Sequence, residues 1–189
     1  MDRGIDFLKS QINNAVMQHR TFLENLQDHE SQAEDERFRT LCASFIPRAS
    51  AHQQMLEDYQ RQLGSDAGVA KKVLGKALGV ARDLADAARD LADAARGDDF
   101  LRLVGDIVAS RQSEDTFKTF RDAGRQLGLD RLAEIGMEGE RQHDDYNRDA
   151  NRLAQQLFVE YVRQGDTTGL DLRPGSGINA ADSAPGSAL

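Results

Sequence analysis

Apolar residues return every three or four positions from near the first residue to about residue 164, and strand-like alternation is absent. The first predicted helix runs from about Gly4 to Ser31, with a stripe of Ile5, Leu8, Ile12, Ala15, Val16, His19, Phe22, Leu23 and Leu26. Gln32-Ala33-Glu34-Asp35 reads as a tight connection in which Asp35 caps the next helix. That helix, about Glu36 to Leu63, contains Pro47, which removes a backbone donor and normally ends or kinks a helix. Its stripe nevertheless stays in phase on both sides: Phe38, Leu41, Cys42, Phe45, Ala49, His52, Leu56, Tyr59 and Leu63. One kinked helix stopped by Gly64 is therefore expected, with two helices meeting at Pro47 as the alternative.

Residues 66–96 form a third expected helix with an internal repeat, the heptapeptide Ala81–Ala87 recurring unchanged as residues 88–94. Leu74, Ala77, Ala81, Leu84, Ala88, Leu91 and Ala95 make a heptad seam, read as a crossover helix or as a self-association surface. Gly97-Asp98-Asp99 closes it and opens a helix from about Asp99 to Leu127. Phe100, Leu103, Val104, Ile107, Arg111, Glu114, Phe117, Arg121 and Gly124 lie along one line of that helix. After a short turn at Gly128-Leu129-Asp130, the last helix runs to about Gln164 through Leu132, Ile135, Gly139, His143, Tyr146, Ala150, Leu153, Leu157 and Tyr161. Short turns make antiparallel neighbours, so the expected fold is an all-α antiparallel bundle over residues 1–164, two hairpins joined by a crossover. From Gly165 to Leu189 the chain turns to Gly, Ser, Ala, Asp and Pro without periodicity, the composition of a disordered tail. Leu170-Asp171-Leu172 within it could dock a partner.

Charge and composition narrow the classes. A net charge of −8 argues against nucleic acid and against anionic membrane surfaces as partners. No stretch approaches the roughly 20 apolar residues of a membrane span, and no cleavable leader pattern is present. The single cysteine, Cys42, excludes an internal disulfide and reads as a small buried hydrophobe. A cytoplasmic location follows as the expectation.

The chemistry lies in polar residues on apolar stripes. Three of the 4 histidines, His19, His52 and His143, fall on buried faces of different helices, while His29 looks solvent-facing. Glu114 joins them from a fourth helix, and a buried carboxylate needs a cation or hydrogen bonds. Glu140 and His143 stand three apart on one face, the spacing by which di-metal bundles bridge and terminate a metal pair. Counting from each turn at about 1.5 Å per residue places Glu114 level with Glu140 and His143, and His19 level with His52. The competing reading pairs Glu114 with the guanidinium of Arg111, Arg121 or Arg141.

On these residues the chain resembles the ferritin-like superfamily, in particular small bacterial four-helix stress-associated proteins with a crossover helix. The resemblance covers about residues 5–160. It is carried by Asp35-Glu36-Arg37-Phe38 through Gln62-Leu63-Gly64, by Ala95-Arg96-Gly97-Asp98-Asp99, by Ser113-Glu114-Asp115 and by Glu140 with His143-Asp144. In the metal-binding families the first and third bundle helices each supply Glu, and the second and fourth each supply Glu-xx-His. Glu114, Glu140 and His143 match that pattern here. Ala49 stands where a Glu is expected before His52, and His19 stands where the first helix would supply its carboxylate.

The resemblance implies an incomplete di-metal ligand set of Glu114, Glu140, His143, His52 and His19. It implies Fe or Mn, with Zn open, and a stress-protective role in a homo-oligomer. A metal-free scaffold or oligomerisation protein is the alternative. A metal- or oxygen-dependent oxidoreductase is the enzyme this fold would support, and the missing carboxylates weigh against it.

Overall fold

The computed structural model describes residues 3–64 and 99–164. The expected helix and repeat at 66–96, its self-association seam, the Gly97-Asp98 cap and the tail from 165 all lie outside the described residues. Those described form four helices and no strand: α1 (Arg3–Gln32), α2 (Glu36–Gln62), α3 (Asp99–Leu127) and α4 (Asp130–Gln164). None of them is long and apolar enough to cross a membrane. The chain divides into a unit of residues Met1–Ala154 and a second of Gln155–Leu189. The described part of the second is the end of α4, which exposes Phe158, Val159 and Tyr161.

Each boundary has a local cause. Asp35 adopts an extended conformation (φ −76, ψ 119), and its carboxylate accepts from the backbone N–H groups of Arg37 at 2.8 Å and Phe38 at 3.3 Å. That satisfies donors the first turn of α2 would otherwise leave unpaired. α2 closes at Gly64, whose φ of +65 suits a residue without Cβ, while the N–H of Leu63 reaches the carbonyl of Tyr59. α3 closes likewise at Gly128 (φ +67), with the Leu129 N–H donating 2.8 Å to the carbonyl of Gly124. α2 is continuous through Pro47, as the unbroken phase of its apolar stripe predicts.

The pairings fix the helix directions within residues 1–154. Asn13 meets Gln60, and Arg20 meets Glu57, so α1 and α2 run antiparallel. Gln32 meets Arg102, and His29 meets Asp106, so α3 also opposes α1. Phe45 packs on Tyr146 and His52 reaches Ile135, so α4 opposes α2; Ser110–His143 and Arg121–Glu140 set it against α3 as well. α2 and α3 are therefore parallel, and the end of α2 and the start of α3 lie at opposite ends of this unit. The Asp35 N–H donates 2.6 Å to the buried carboxylate of Asp99, tying the α1–α2 turn to the first residue of α3.

Side chains of all four helices fill the interior. Ile12, Ala15, Val16, Leu56, Tyr59, Phe117, Phe120, Leu132 and Ile135 form one contiguous cluster. Leu26, Phe38, Cys42 and Leu103 are fully buried besides. Burying a Leu, Ile or Phe side chain stabilises by about 1.5–3 kcal/mol, so these positions carry most of the fold's driving force. α3 and α4 approach closely because Gly136 lacks a side chain: a Cβ there would stand 2.2 Å from the backbone nitrogen of Arg121. Arg111, expected on the inward line of α3, is exposed, as is Ile5 at the start of α1.

Candidate functional site

Three imidazoles meet in the middle of the Met1–Ala154 unit. His19 comes from α1, His52 from α2 and His143 from α4, and each is at most 1% exposed. The His19 ring centroid lies 4.8 Å from that of His52 and 5.5 Å from that of His143, both edge-on. Phe117 of α3 touches all three rings, at 4.7 Å from His52, 5.4 Å stacked on His143 and 5.9 Å from His19. Phe22 of α1 lies 4.9 Å from His143, the two rings tilted. Space for the His52 ring depends on Gly139, where a Cβ would sit 2.6 Å from its Cε1 and 2.5 Å from Cγ of Phe117.

Each ring has a fixed outer nitrogen. Nε2 of His52 lies 3.0 Å from the carbonyl oxygen of Ile135, which can only accept, so this nitrogen carries the proton. Nδ1 of His19 lies 3.1 Å from Oε1 of Gln53. The Gln53 amide is oriented by its own N–H donation to Glu57 at 2.7 Å and toward the carbonyl of Val16 at 3.4 Å. Nδ1 of His143 lies 2.9 Å from Oγ of Ser110. The inner nitrogens are Nε2 of His19 and Nδ1 of His52, 3.2 Å apart, and Nε2 of His143, which is buried without a hydrogen-bond partner.

Electrostatics keep the cluster neutral. Burial, and then the neighbouring His52, lower the His19 pKa from 6.5 to about 3. Burial lowers that of His52 to about 4, against a smaller opposing effect of its bond to Ile135 and the field of Glu138. His143 is pushed well below its ordinary range by burial and then by the other two imidazoles. At neutral pH the three rings are uncharged bases, the form in which imidazole binds a metal.

The two glutamates expected in the site are engaged elsewhere. Glu114 is buried and receives Lys118 Nζ at 2.5 Å and Asn147 Nδ2 at 2.9 Å. Glu140 is paired with the guanidinium of Arg121. The expected level match holds for the backbone, since Gly136 lies against Arg121 and Gly124 against Ala133, the antiparallel register that sets Glu114 opposite His143. The side chains part, His143 turning to Ser110 and Glu114 to Asn147. Glu114, Lys118, Met137, Glu140, Arg141 and Asp144 instead line an open depression of about 430 Å³. The cation beside Glu114 is a lysine of its own helix, not one of the arginines expected there. As the side chains stand, no group of three or more His, Cys, Asp or Glu among the described residues is arranged to hold an ion.

A second polar cluster was not anticipated. Asp106 of α3 is 1% exposed; its Oδ2 lies 2.8 Å from Nδ1 of His29 and accepts from the Tyr146 hydroxyl at 3.3 Å, while Oδ1 has no partner. Burial raises the Asp106 pKa, opposed by the bonds to His29 and Tyr146. His29, expected to face solvent, is thus largely covered, its side chain 15% exposed. Burial and the nearby Asp106 raise the Cys42 thiol pKa, which keeps it a protonated, fully buried group. The missed signal is helical phase read on polar residues. Asp106, Ser110 and Glu114 follow Leu103 at intervals of three and four, and Asn147 follows His143 by four. No protein-family model, curated protein or solved structure matches the chain.

Proposed function

We propose that this chain is a ferritin-like helical-bundle protein that binds a metal ion within the Met1–Ala154 unit, with a stress-protective role and homo-oligomeric assembly. The observation that carries the reading is the meeting of three buried, neutral imidazoles from three different helices. Burying three polar rings together weakens a core unless something uses them. The ferritin-like architecture is supported by the parallel α2 and α3: Gln62 and Asp99 lie at opposite ends of the unit, with 36 residues between them in sequence. Holding a metal away from solvent is the chemistry a protective role requires, and we assign the chain no reaction.

The residues fit this role unevenly. The imidazoles have the right donor chemistry, and one carries an orphaned nitrogen. The carboxylates of a di-metal centre do not fit, since Lys118 and Arg121 neutralise Glu114 and Glu140. That neutralisation favours the second reading, a metal-free scaffold. Elemental analysis of protein purified without chelator separates the two. A transition metal retained through gel filtration, and lost on stripping with a fall in thermal midpoint, supports the first. Metal-free protein whose midpoint is unchanged by added Zn, Fe or Mn supports the second.

A further inference from the structure

We infer that His19, His52 and His143 form a mononuclear three-imidazole centre for a borderline dication of the zinc, cobalt(II) or nickel(II) class, with water completing the coordination. The inference rests on the metal-binding reading above and goes beyond it in ligand set, nuclearity and metal class.

The six ring nitrogens of the three histidines divide into an outer and an inner set. In metal sites a ligating histidine almost always gives its second nitrogen to a carbonyl, carboxylate or water, which fixes the tautomer and aims the ring. Here all three rings have such an outer partner: the Ile135 carbonyl, the Gln53 amide oxygen and the Ser110 hydroxyl. Turning the Gln53 amide over would place its oxygen against the Glu57 carboxylate, now 2.7 Å from its N–H group, so His19 Nδ1 must be the donor. His19 Nε2 and His52 Nδ1 are then two lone pairs facing each other at 3.2 Å. Two lone pairs repel at that distance unless a cation lies between them. Two imidazole nitrogens on one tetrahedral zinc, each about 2.0–2.1 Å from the metal, stand about 3.3–3.4 Å apart. The first edge of a coordination tetrahedron is therefore already set.

His143 supplies the third vertex. Its Nε2 is buried and unpartnered, and its ring centroid is 5.5 Å from that of His19. Closing the set requires the His143 ring to swing from its stacked position on Phe117 toward the His19–His52 pair. Neutral nitrogen donors without a carboxylate select ions that favour imidazole over the oxygen-seeking Mg, Ca and Mn.

Cobalt(II) added to the stripped full-length chain tests this. Visible ligand-field bands of tetrahedral intensity should appear, saturate at a single ion per chain and vanish when Zn is added. His19→Asn, His52→Asn and His143→Asn should each lose the bands, whereas Glu114→Ala and Glu140→Ala should keep them. Gln53→Leu should weaken binding by about 10–100-fold, the usual effect of removing an outer partner. Because a histidine variant could fail to fold, imidazole NMR of the wild-type chain provides the second measurement. Zn should shift the ring signals of His19, His52 and His143 and leave His29, the fourth histidine, unmoved. Uptake of Fe or Mn that survives His143→Asn and is lost in Glu114→Ala would overturn this centre and leave the metal-binding reading standing. No uptake of any of these ions would overturn both.

Discussion

Acid should destabilise the fold well above the pH at which carboxylates protonate. The histidines of an unfolded chain titrate near 6.5, whereas in the fold His19 and His52 are held at about 3 and about 4. Groups with depressed basicity in the fold bind more protons when unfolded, so stability falls as pH drops below 6.5. At pH 6 each ring costs about 0.8 kcal/mol, and at pH 5 about 2 kcal/mol, or about 4 kcal/mol for the two. His143 shifts in the same direction and adds to the loss. Against the roughly 5–15 kcal/mol that stabilises a typical domain, this is a large fraction. Asp35, Glu57 and Asp145 have lowered pKa values, and their stabilisation disappears only below the ordinary carboxylate range. Asp106, raised by burial, acts in the opposite sense and reduces the slope. Urea titrations followed by circular dichroism at pH 8, 7, 6 and 5, with chelator present, read the effect as a falling midpoint at constant slope. The difference between pH 8 and pH 5 should shrink by about 2 kcal/mol in His52→Asn. A stability that stays flat from pH 7 to 5, or an undiminished loss in that variant, would show that the rings are charged in the fold.

The other perturbations probe how the cluster is built. Gly139→Ala places a Cβ within 2.6 Å of His52 and Phe117, so it should cost about 1–3 kcal/mol in urea titrations and displace the His52 ring signals. Asp35→Ala removes the cap of α2 and should cost about 1 kcal/mol, lowering the thermal midpoint without changing metal binding. Phe117→Ala should cost about 3–5 kcal/mol, since that ring is 1% exposed and touches all three imidazoles. A change smaller than 1 kcal/mol would mean that the core there is loosely packed.

Much of the fold was legible because hydrophobic phase is a strong signal over long helices. α3 has the expected ends, α2 crosses Pro47 as its stripe required, and Asp35 caps as expected. Four of the five candidate ligands, His19, His52, His143 and Glu114, are buried, as stripe position implied. What the pattern could not supply was rotation at the level of single side chains. Counting residues from a turn placed His19 against His52 correctly. The same count placed Glu114 level with His143, but it could not foresee that their side chains turn to different partners, Asn147 and Ser110. Nor does spacing reveal that a nearby cation neutralises a carboxylate. Glu114 takes Lys118, its own i+4 neighbour, and Glu140 takes Arg121 from across the hairpin.

The placement of the polar groups separates the two clusters by chemistry. Around Asp106 a carboxylate is met by donors, His29 and Tyr146, and the network ties together three helices, α1, α3 and α4. Around His52 the facing nitrogens of His19 and His52 are both acceptors, and the inner nitrogen of His143 has no partner. A purely structural core would place apolar residues where these rings lie, since replacing partly satisfied polar groups by well-packed hydrophobes is often neutral or stabilising. Three surrounding features serve the rings: a glycine at 139 that leaves room for His52, an amide at 53 anchored by Glu57, and a hydroxyl at 110; Phe117, a core residue, packs against all three imidazoles. Gln53 and Ser110 each hold an outer ring nitrogen, and neither compensates an inner one. A local breach of the rules of core packing, supported on every side by residues that maintain it, is the pattern expected where stability has been given up for binding.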